Sequence, residues 1–177
     1  AERRLGCEIV ALPWELHAAP DVDALVIRST WGYYHHLPRF RTWLENLRVP
    51  TLNPVPLMLG NINKIYLKQM ENLGVPIVPT IFFHSADPTE LLAKTQNQGW
   101  QELVLKPTIS ASSHLTFRIT ARELPASGAL GAILQKSEGM AQPFLKEIIE
   151  QGELSVIFHK GRGQRPIYSH ALRKRPA

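Results

Sequence analysis

The apolar runs of this 177-residue chain are short and repeatedly cut by proline. Val75 to Phe83 is broken by Pro76 and Pro79, and no stretch approaches the roughly 18 apolar residues that a membrane-spanning helix needs. Runs this short become stable only when layered against one another. Glu8 to Leu12 and Ala24 to Arg28, rich in Val, Ile and Leu and bounded by Pro, Asp or Gly, read as buried parallel strands. After Pro38, the residues Phe40, Trp43, Leu44 and Leu47 recur at the spacing of an apolar stripe on a surface helix. Strands alternating with such helices predict an α/β protein.

Composition narrows the class. Hydrophobic residues at 44% and charged residues at 20% exclude disordered, collagenous and membrane chains. The single Cys7 cannot close an internal disulfide, so a stapled secreted scaffold is excluded and the cytoplasm is the expected location. A net charge of +5 favours an anionic partner, with phosphate, nucleic acid and carboxylate equally eligible. Ala1 to Leu5 read as the end of a helix running into Gly6, and the chain stops at Arg173-Lys174-Arg175-Pro176 directly after a strand-like stretch. Both features predict a piece of a longer chain.

Further along, Val49 to Pro56 carries three prolines and an Asn and reads as a linker. Asn61 can cap a helix whose Ile62, Tyr66, Met70 and Leu73 face one way and which Gly74 and Pro76 end. Lys64 falls in its first turn, where the helix dipole disfavours a cation and a bound anion would offset the cost; an ordinary solvated lysine is the alternative. Ile77 to His84 reads as a strand that Pro79 pushes to an edge or bulge. Asp87-Pro88-Thr89-Glu90 opens a helix that Leu91, Leu92 and Thr95 continue to Gly99.

Leu103-Val104-Leu105-Lys106-Pro107 reads as a short buried strand, and Pro107 keeps Lys106 extended at its end. The small residues Ile109 to His114 then lead into a strand from Leu115 to Ile119. Such a loop lets backbone amides and serine hydroxyls approach a phosphate, or it is simply a polar hairpin turn; it contains no glycine. Ala129 to Lys136 predicts a helix. Met140 to Leu145 is an apolar segment whose proline argues against a central strand. Leu154, Val156 and Phe158 alternate with polar neighbours, and Gly161 to Gly163 turns the chain into Ile167 to Leu172, a hairpin from which Arg173 and Lys174 emerge.

Several chemistries find no support. Seven histidines are scattered or, at His35-His36, adjacent and pointing apart, so they do not form a zinc site. No Gly-x-Ser-x-Gly elbow is present, and Cys7 lies just before a strand where a packed thiol is the ordinary expectation. No helix carries a basic stripe for nucleic acid.

Taken in order, Val26-Ile27-Arg28-Ser29-Thr30-Trp31, Leu52-Asn53-Pro54, Asn63-Lys64, Val104-Leu105-Lys106-Pro107, Gln142-Pro143-Phe144, Gly152-Glu153-Leu154-Ser155 and Ser169-His170-Ala171 resemble the ATP-grasp superfamily. The likeness is to glutathione-synthetase-like carboxylate-amine ligases, including the cyclo-ligase type of cycloserine biosynthesis, and it covers nearly the whole chain. It implies an ATP-grasp fold with an incomplete N-terminal Rossmann-like domain over residues 1–51, a central lid subdomain over 52–139 and a truncated C-terminal subdomain over 140–177.

The resemblance also implies roles. Lys64 and Lys106 match the lysines that contact nucleotide phosphates, and Ser110, Ala111, Ser112 and Ser113 match the loop that covers them, with Ser112 where relatives carry glycine. Gln142, Pro143, Phe144 and Leu145 match the hinge whose backbone reads adenine, in conflict with the helix-like spacing of Phe144, Leu145, Ile148 and Ile149. Glu153 matches the acid that bonds ribose hydroxyls. Lys174 matches the catalytic basic residue facing the terminal phosphate, with Arg173 the alternative. Arg28, Ser29, Thr30 and Trp31 would face the acceptor substrate, Arg28 holding a carboxylate or else serving in a structural ion pair.

The implied reaction is amide formation from a small carboxylate and an amino-acid-like amine, with ATP and Mg2+, the metal ligands expected beyond residue 177. Neither nucleic acid nor membrane is an expected partner, and a homo-oligomer is compatible. Two other functions stay open: a non-catalytic ATP-grasp-like nucleotide-binding module, and a basic nucleic-acid-binding domain.

Overall fold

A computed structural model of the chain describes residues 6–15, 21–161 and 163–175. The helix end expected at Ala1 to Leu5 lies outside the described residues, as do Arg162 of the expected turn and Pro176. The strands are β1 (Leu25–Val26), β2 (Thr51–Leu52), β3 (Ile81–Phe83), β4 (Glu102–Pro107), β5 (Phe117–Thr120), β6 (Gly139–Pro143), β7 (Glu153–His159) and β8 (Ile167–Lys174). The helices are α1 (Leu37–Asn46), α2 (Val55–Asn61), α3 (Tyr66–Asn72), α4 (Pro88–Asn97), α5 (Ala129–Leu134) and α6 (Lys146–Glu150). Among the described residues, no helix is long and apolar enough to cross a membrane.

The central sheet runs β3-β6-β4-β5 and is antiparallel throughout. Its middle strand β4 alternates strictly: Leu103, Leu105 and Pro107 are buried, while Glu102, Val104 and Lys106 on the other face are half-buried. The buried face packs on Leu91 of α4 and on Ala129, Leu130 and Ile133 of α5. Full burial of Leu103, Leu105 and Ile133 contributes about 1.5–3 kcal/mol each. Helix α4 starts as its sequence dictates: Pro88 occupies the first turn, and the Asp87 carboxylate accepts the Thr89 N–H at 2.9 Å.

A second core joins Trp14, Phe40, Leu44 and Ile62, with Ile109 packed against it. Trp14 meets Phe40 edge-on at 5.0 Å. Here β1 and β2 form a short parallel pair, Leu25 opposite Thr51 and Val26 opposite Leu52. The hairpin β7–β8 makes a third, two-stranded sheet.

Several expectations are corrected. Residues 8–12 form no strand, and Ile9, Val10 and Leu12 stay about half exposed, because no layer among the described residues covers them. The expected buried strand from Ala24 to Arg28 shortens to β1, with Val26 65% exposed. The segment from Val49 to Pro56 is not a linker: it contains β2 and the start of α2, where Pro54 is the N-cap and Pro56 sits in the first turn, positions that lack no needed N–H. The helix expected after Asn61 begins at Tyr66, and Asn63, not Asn61, turns the chain into it by accepting the Ile65 N–H at 2.9 Å. Lys64 therefore precedes the helix. β6 is an interior strand despite Pro143, which falls at its end, where β3 no longer pairs with it.

Candidate functional site

The face of the central sheet turned away from the helices carries Lys106. Alternation puts Val104 beside it on β4, and register sets Met140, fully buried, directly opposite Lys106 and Phe82 opposite Met140. Gln142, opposite Val104, donates from Nε2 to Thr80 Oγ1 at 2.8 Å. This side of the sheet is an apolar floor with a lysine at one end and a hydrogen-bonded amide at the other.

Lys64 enters from the turn before α3. Its ammonium donates to Thr108 O at 3.3 Å, Ser110 O at 2.8 Å and Ser110 Oγ at 3.2 Å. Burial, together with the charge of nearby Lys106, pulls its pKa down from 10.5 to about 8. Burial also lowers Lys106, and the Glu153 carboxylate works in the opposite direction. Two half-buried ammonium groups close enough to repel, with one carboxylate at hand, describe a site short of negative charge. Thr108, whose carbonyl accepts from Lys64, has a buried hydroxyl with no hydrogen-bond partner among the described residues. That chemistry fits a polyphosphate, whose oxygens would offset the repulsion.

The loop that follows keeps a backbone suited to glycine. Ser112 and Ser113 have φ of +52° and +57°, left-handed values that a side chain adopts at a cost. Ser110 is buried, Ala111 half-buried, and Ser112 and Ser113 exposed. The loop's end is held from the N-terminal side: the His114 ring lies 5.2 Å from Tyr34 and 5.0 Å from His35.

The hinge expectation meets a specific backbone arrangement. Phe144 N–H donates to Glu102 O at 3.0 Å, extending the β4–β6 ladder one residue past Pro143. On the other edge the β3–β6 pairing ends at Ile81 and Ala141; continued past Thr80 and Gln142, its register would set Pro79 opposite Pro143, and neither proline has an N–H. Backbone groups of successive residues point to alternate sides, so Pro143 C=O and Leu145 N–H face that unpaired edge. Leu145 then caps α6, which accommodates the helical spacing of Ile148 and Ile149 one step later. The Phe144 ring lies under the Arg118 guanidinium at 3.6 Å, and Arg118 donates to Glu102 Oε2 from both Nε and a terminal nitrogen, at 3.0 and 2.7 Å.

Glu153 and Lys174 are register partners in the hairpin, whereas Arg173 pairs with Leu154 and shares the opposite face. The charge of Glu153 reaches Lys106, and that of Lys106 reaches Lys64, so these three groups lie near one another, while Lys174 is the hairpin partner of Glu153. Arg28, Ser29, Thr30 and Trp31 do not join them. They line a cavity of about 420 Å3 with Leu12, Trp14 and Trp43. Among the described residues, no group of three or more His, Cys, Asp or Glu could hold a metal ion.

Sequence reasoning missed Val104, Met140, Phe82, Thr108 and His114. Val104 was legible, two residues from Lys106 on a strand; the others needed the strand register and the fold of the loop.

Comparisons with known proteins show likeness in sequence and fold. Residues 1–53 match the family described as D-cycloserine synthetase DcsG, N-terminal domain. The cycloserine biosynthesis protein DcsG of Streptomyces lavendulae is 29% identical over 162 residues, covering 86% of this chain and 52% of the relative. The crystal structure of D-cycloserine synthetase DcsG superposes with a TM-score of 0.77 at 25% identity, over 95% of this chain and 56% of that one. A RimK domain protein ATP-grasp from Sphaerobacter thermophilus shares the fold, with a TM-score of 0.58 at 14% identity over 79% of this chain and 52% of that one. The chain spans about half the length of the relatives it matches.

Proposed function

We propose that this chain, which is similar to the D-cycloserine synthetase DcsG over about half of that protein's length, is the nucleotide-binding part of an ATP-dependent carboxylate-amine ligase of the ATP-grasp type. The observation that carries the reading is the convergence of Lys64 and Lys106 beside a small-residue loop. In the proposed reaction a substrate carboxylate oxygen attacks the γ-phosphorus of ATP and ADP departs. An amine nitrogen then displaces phosphate from the acyl phosphate and forms the amide.

The chain's own residues supply charge and position. The ammonium groups of Lys106 and Lys174 and, once released from the loop, Lys64 stabilise phosphate oxygens, which is electrostatic catalysis without a protein nucleophile. The backbone of Pro143 and Leu145 reads the adenine edge, with Gln142 and Phe144 holding that strand in line. Glu153 takes the ribose hydroxyls, and residues 110–113 cover the phosphates. Arg28 holds the substrate carboxylate by a charge-assisted pair, with Ser29, Thr30 and Trp31 around it. Mg2+, when bound, would neutralise phosphate charge. The subdomain division at about residues 51 and 139 belongs to the same proposal, as does an amino-acid-like substrate pair.

Thermal unfolding of the full-length protein with and without Mg-ATP tests it. Ligand at about 100 times its dissociation constant adds roughly 2.7 kcal/mol. A stabilisation that disappears in Lys106→Met supports the site. No shift at millimolar ATP sinks the ligase reading and returns attention to nucleic acid, whose binding would weaken steeply with salt. A second reading, nucleotide binding without turnover, is favoured by the left-handed Ser112, where the family resemblance implies glycine; it predicts stabilisation by ATP but no ADP release with any amino-acid substrate.

A further inference from the structure

An ammonium group has three N–H donors, and the loop after β4 offers Lys64 three acceptors: Thr108 O, Ser110 O and Ser110 Oγ, at 3.3, 2.8 and 3.2 Å. The Ser110 hydroxyl is itself oriented. It donates to Pro107 O at 3.3 Å, which turns its lone pairs toward Lys64 and commits its proton within the protein. A backbone link adds to these, Lys64 N–H donating to Thr108 O at 2.9 Å. Ser110 is buried, so its bonds to the ammonium form away from water, where each counts for more. Lys106 differs: among the described residues, no protein acceptor bonds its ammonium, which stands ready for an anion.

From this saturation we infer that Lys64 is the tether of the 110–113 loop, and that a phosphate group entering the site competes with Ser110 for the ammonium instead of finding it free. The tether deepens the nucleotide reading and rests on it for the identity of the competing anion. Lys106 meets the phosphates first, and Lys64 exchanges a loop acceptor for a phosphate oxygen, so binding of the anion loosens the loop at Ser110. Lys64 is in this sense a positioning residue for the loop as well as a contact for the ligand.

Competition gives Ser110 a sign opposite to that of a ligand. If its hydroxyl bonded phosphate, Ser110→Ala would weaken binding. As a competitor, its removal leaves one ammonium donor unsatisfied until the anion arrives, so binding tightens. The experiment titrates Mg-ATP by calorimetry into the full-length protein as wild type and Ser110→Ala. It also follows amide hydrogen exchange of residues 110–113 without nucleotide in wild type, Ser110→Ala and Lys64→Met. Expected are about threefold to tenfold tighter binding for Ser110→Ala, and faster loop exchange in both Ser110→Ala and Lys64→Met. Weaker binding by Ser110→Ala, or unchanged loop exchange in Lys64→Met, overturns the tether. If the wild type binds no ATP, the nucleotide reading fails by itself and the exchange data decide: faster exchange in Lys64→Met keeps the tether, unchanged exchange removes it.

Discussion

Glu153 stands directly opposite Lys174 across the β7–β8 hairpin, and its carboxylate charge also acts on Lys106 of the central sheet. One acid thus sits between a lysine on each of two sheets. If it holds the ribose, Glu153→Gln weakens ATP binding and narrows the preference for ATP over 2′-deoxy-ATP. Competition titrations with the two nucleotides read this directly, and an undiminished preference would count against the assignment.

Lys64 gives the site a pH dependence. Its folded pKa of about 8 lies below the ordinary 10.5, so from about pH 8 to 10.5 the unfolded chain holds the extra proton and this group makes stability rise with pH. A bound polyphosphate favours the charged form. ATP affinity should therefore be flat below about pH 8 and fall above it, with proton uptake on binding near pH 8.5. Calorimetry in two buffers of different ionisation heat measures the uptake, and heats independent of buffer would refute it.

Ser112 at φ +52° is a place where glycine costs less than elsewhere. Relief of left-handed strain, about 1–2 kcal/mol, outweighs glycine's entropic cost of about 0.5–1 kcal/mol. Ser112→Gly should leave stability unchanged or raise it by up to about 1 kcal/mol in urea unfolding, while Ser112→Val lowers it. Destabilisation by the glycine would show that the loop does not keep this backbone in solution.

Arg118, Glu102 and Phe144 tie β5, β4 and the end of β6 together. The group is largely solvent-exposed, so each contact is modest: roughly 0.5–1 kcal/mol for the cation over the ring and 0.2–1 kcal/mol for the ion pair. Arg118→Ala should cost about 1 kcal/mol, and a double-mutant cycle with Phe144→Leu should show coupling of about 0.5 kcal/mol or more. Additive losses would mean that the stacking contributes nothing.

Local punctuation was legible in the chain itself. Asp87-Pro88 starts α4, a short apolar run marks β4, alternation marks β7, and Pro107 holds Lys106 at a strand end, because capping, pleating and proline sterics act over a few neighbouring residues. The two lysines, the small loop and the Glu153 segment could likewise be picked out by kind and order. Local rules misread three prolines. Pro54 and Pro56 suggested a linker yet begin α2, and Pro143 argued against an interior strand yet ends one. Whether a missing N–H matters depends on whether a partner strand would have used it, and that is a fact about neighbours in space.

Convergence likewise belonged to the tertiary structure. Lys64 and Ser110 are 46 residues apart in sequence, and only the packing of the turn before α3 against the end of β4 makes one the other's hydrogen-bond partner. The register of β4 with β6 sets Met140 against Lys106, and the hairpin register separates Lys174 from Arg173. Residue types and their spacing determined which groups were available for phosphate chemistry. Distances and burial decided which of them meet and which proton each lysine keeps, because Coulomb and desolvation energies depend on separation through space and on access to water, neither of which spacing along the chain encodes.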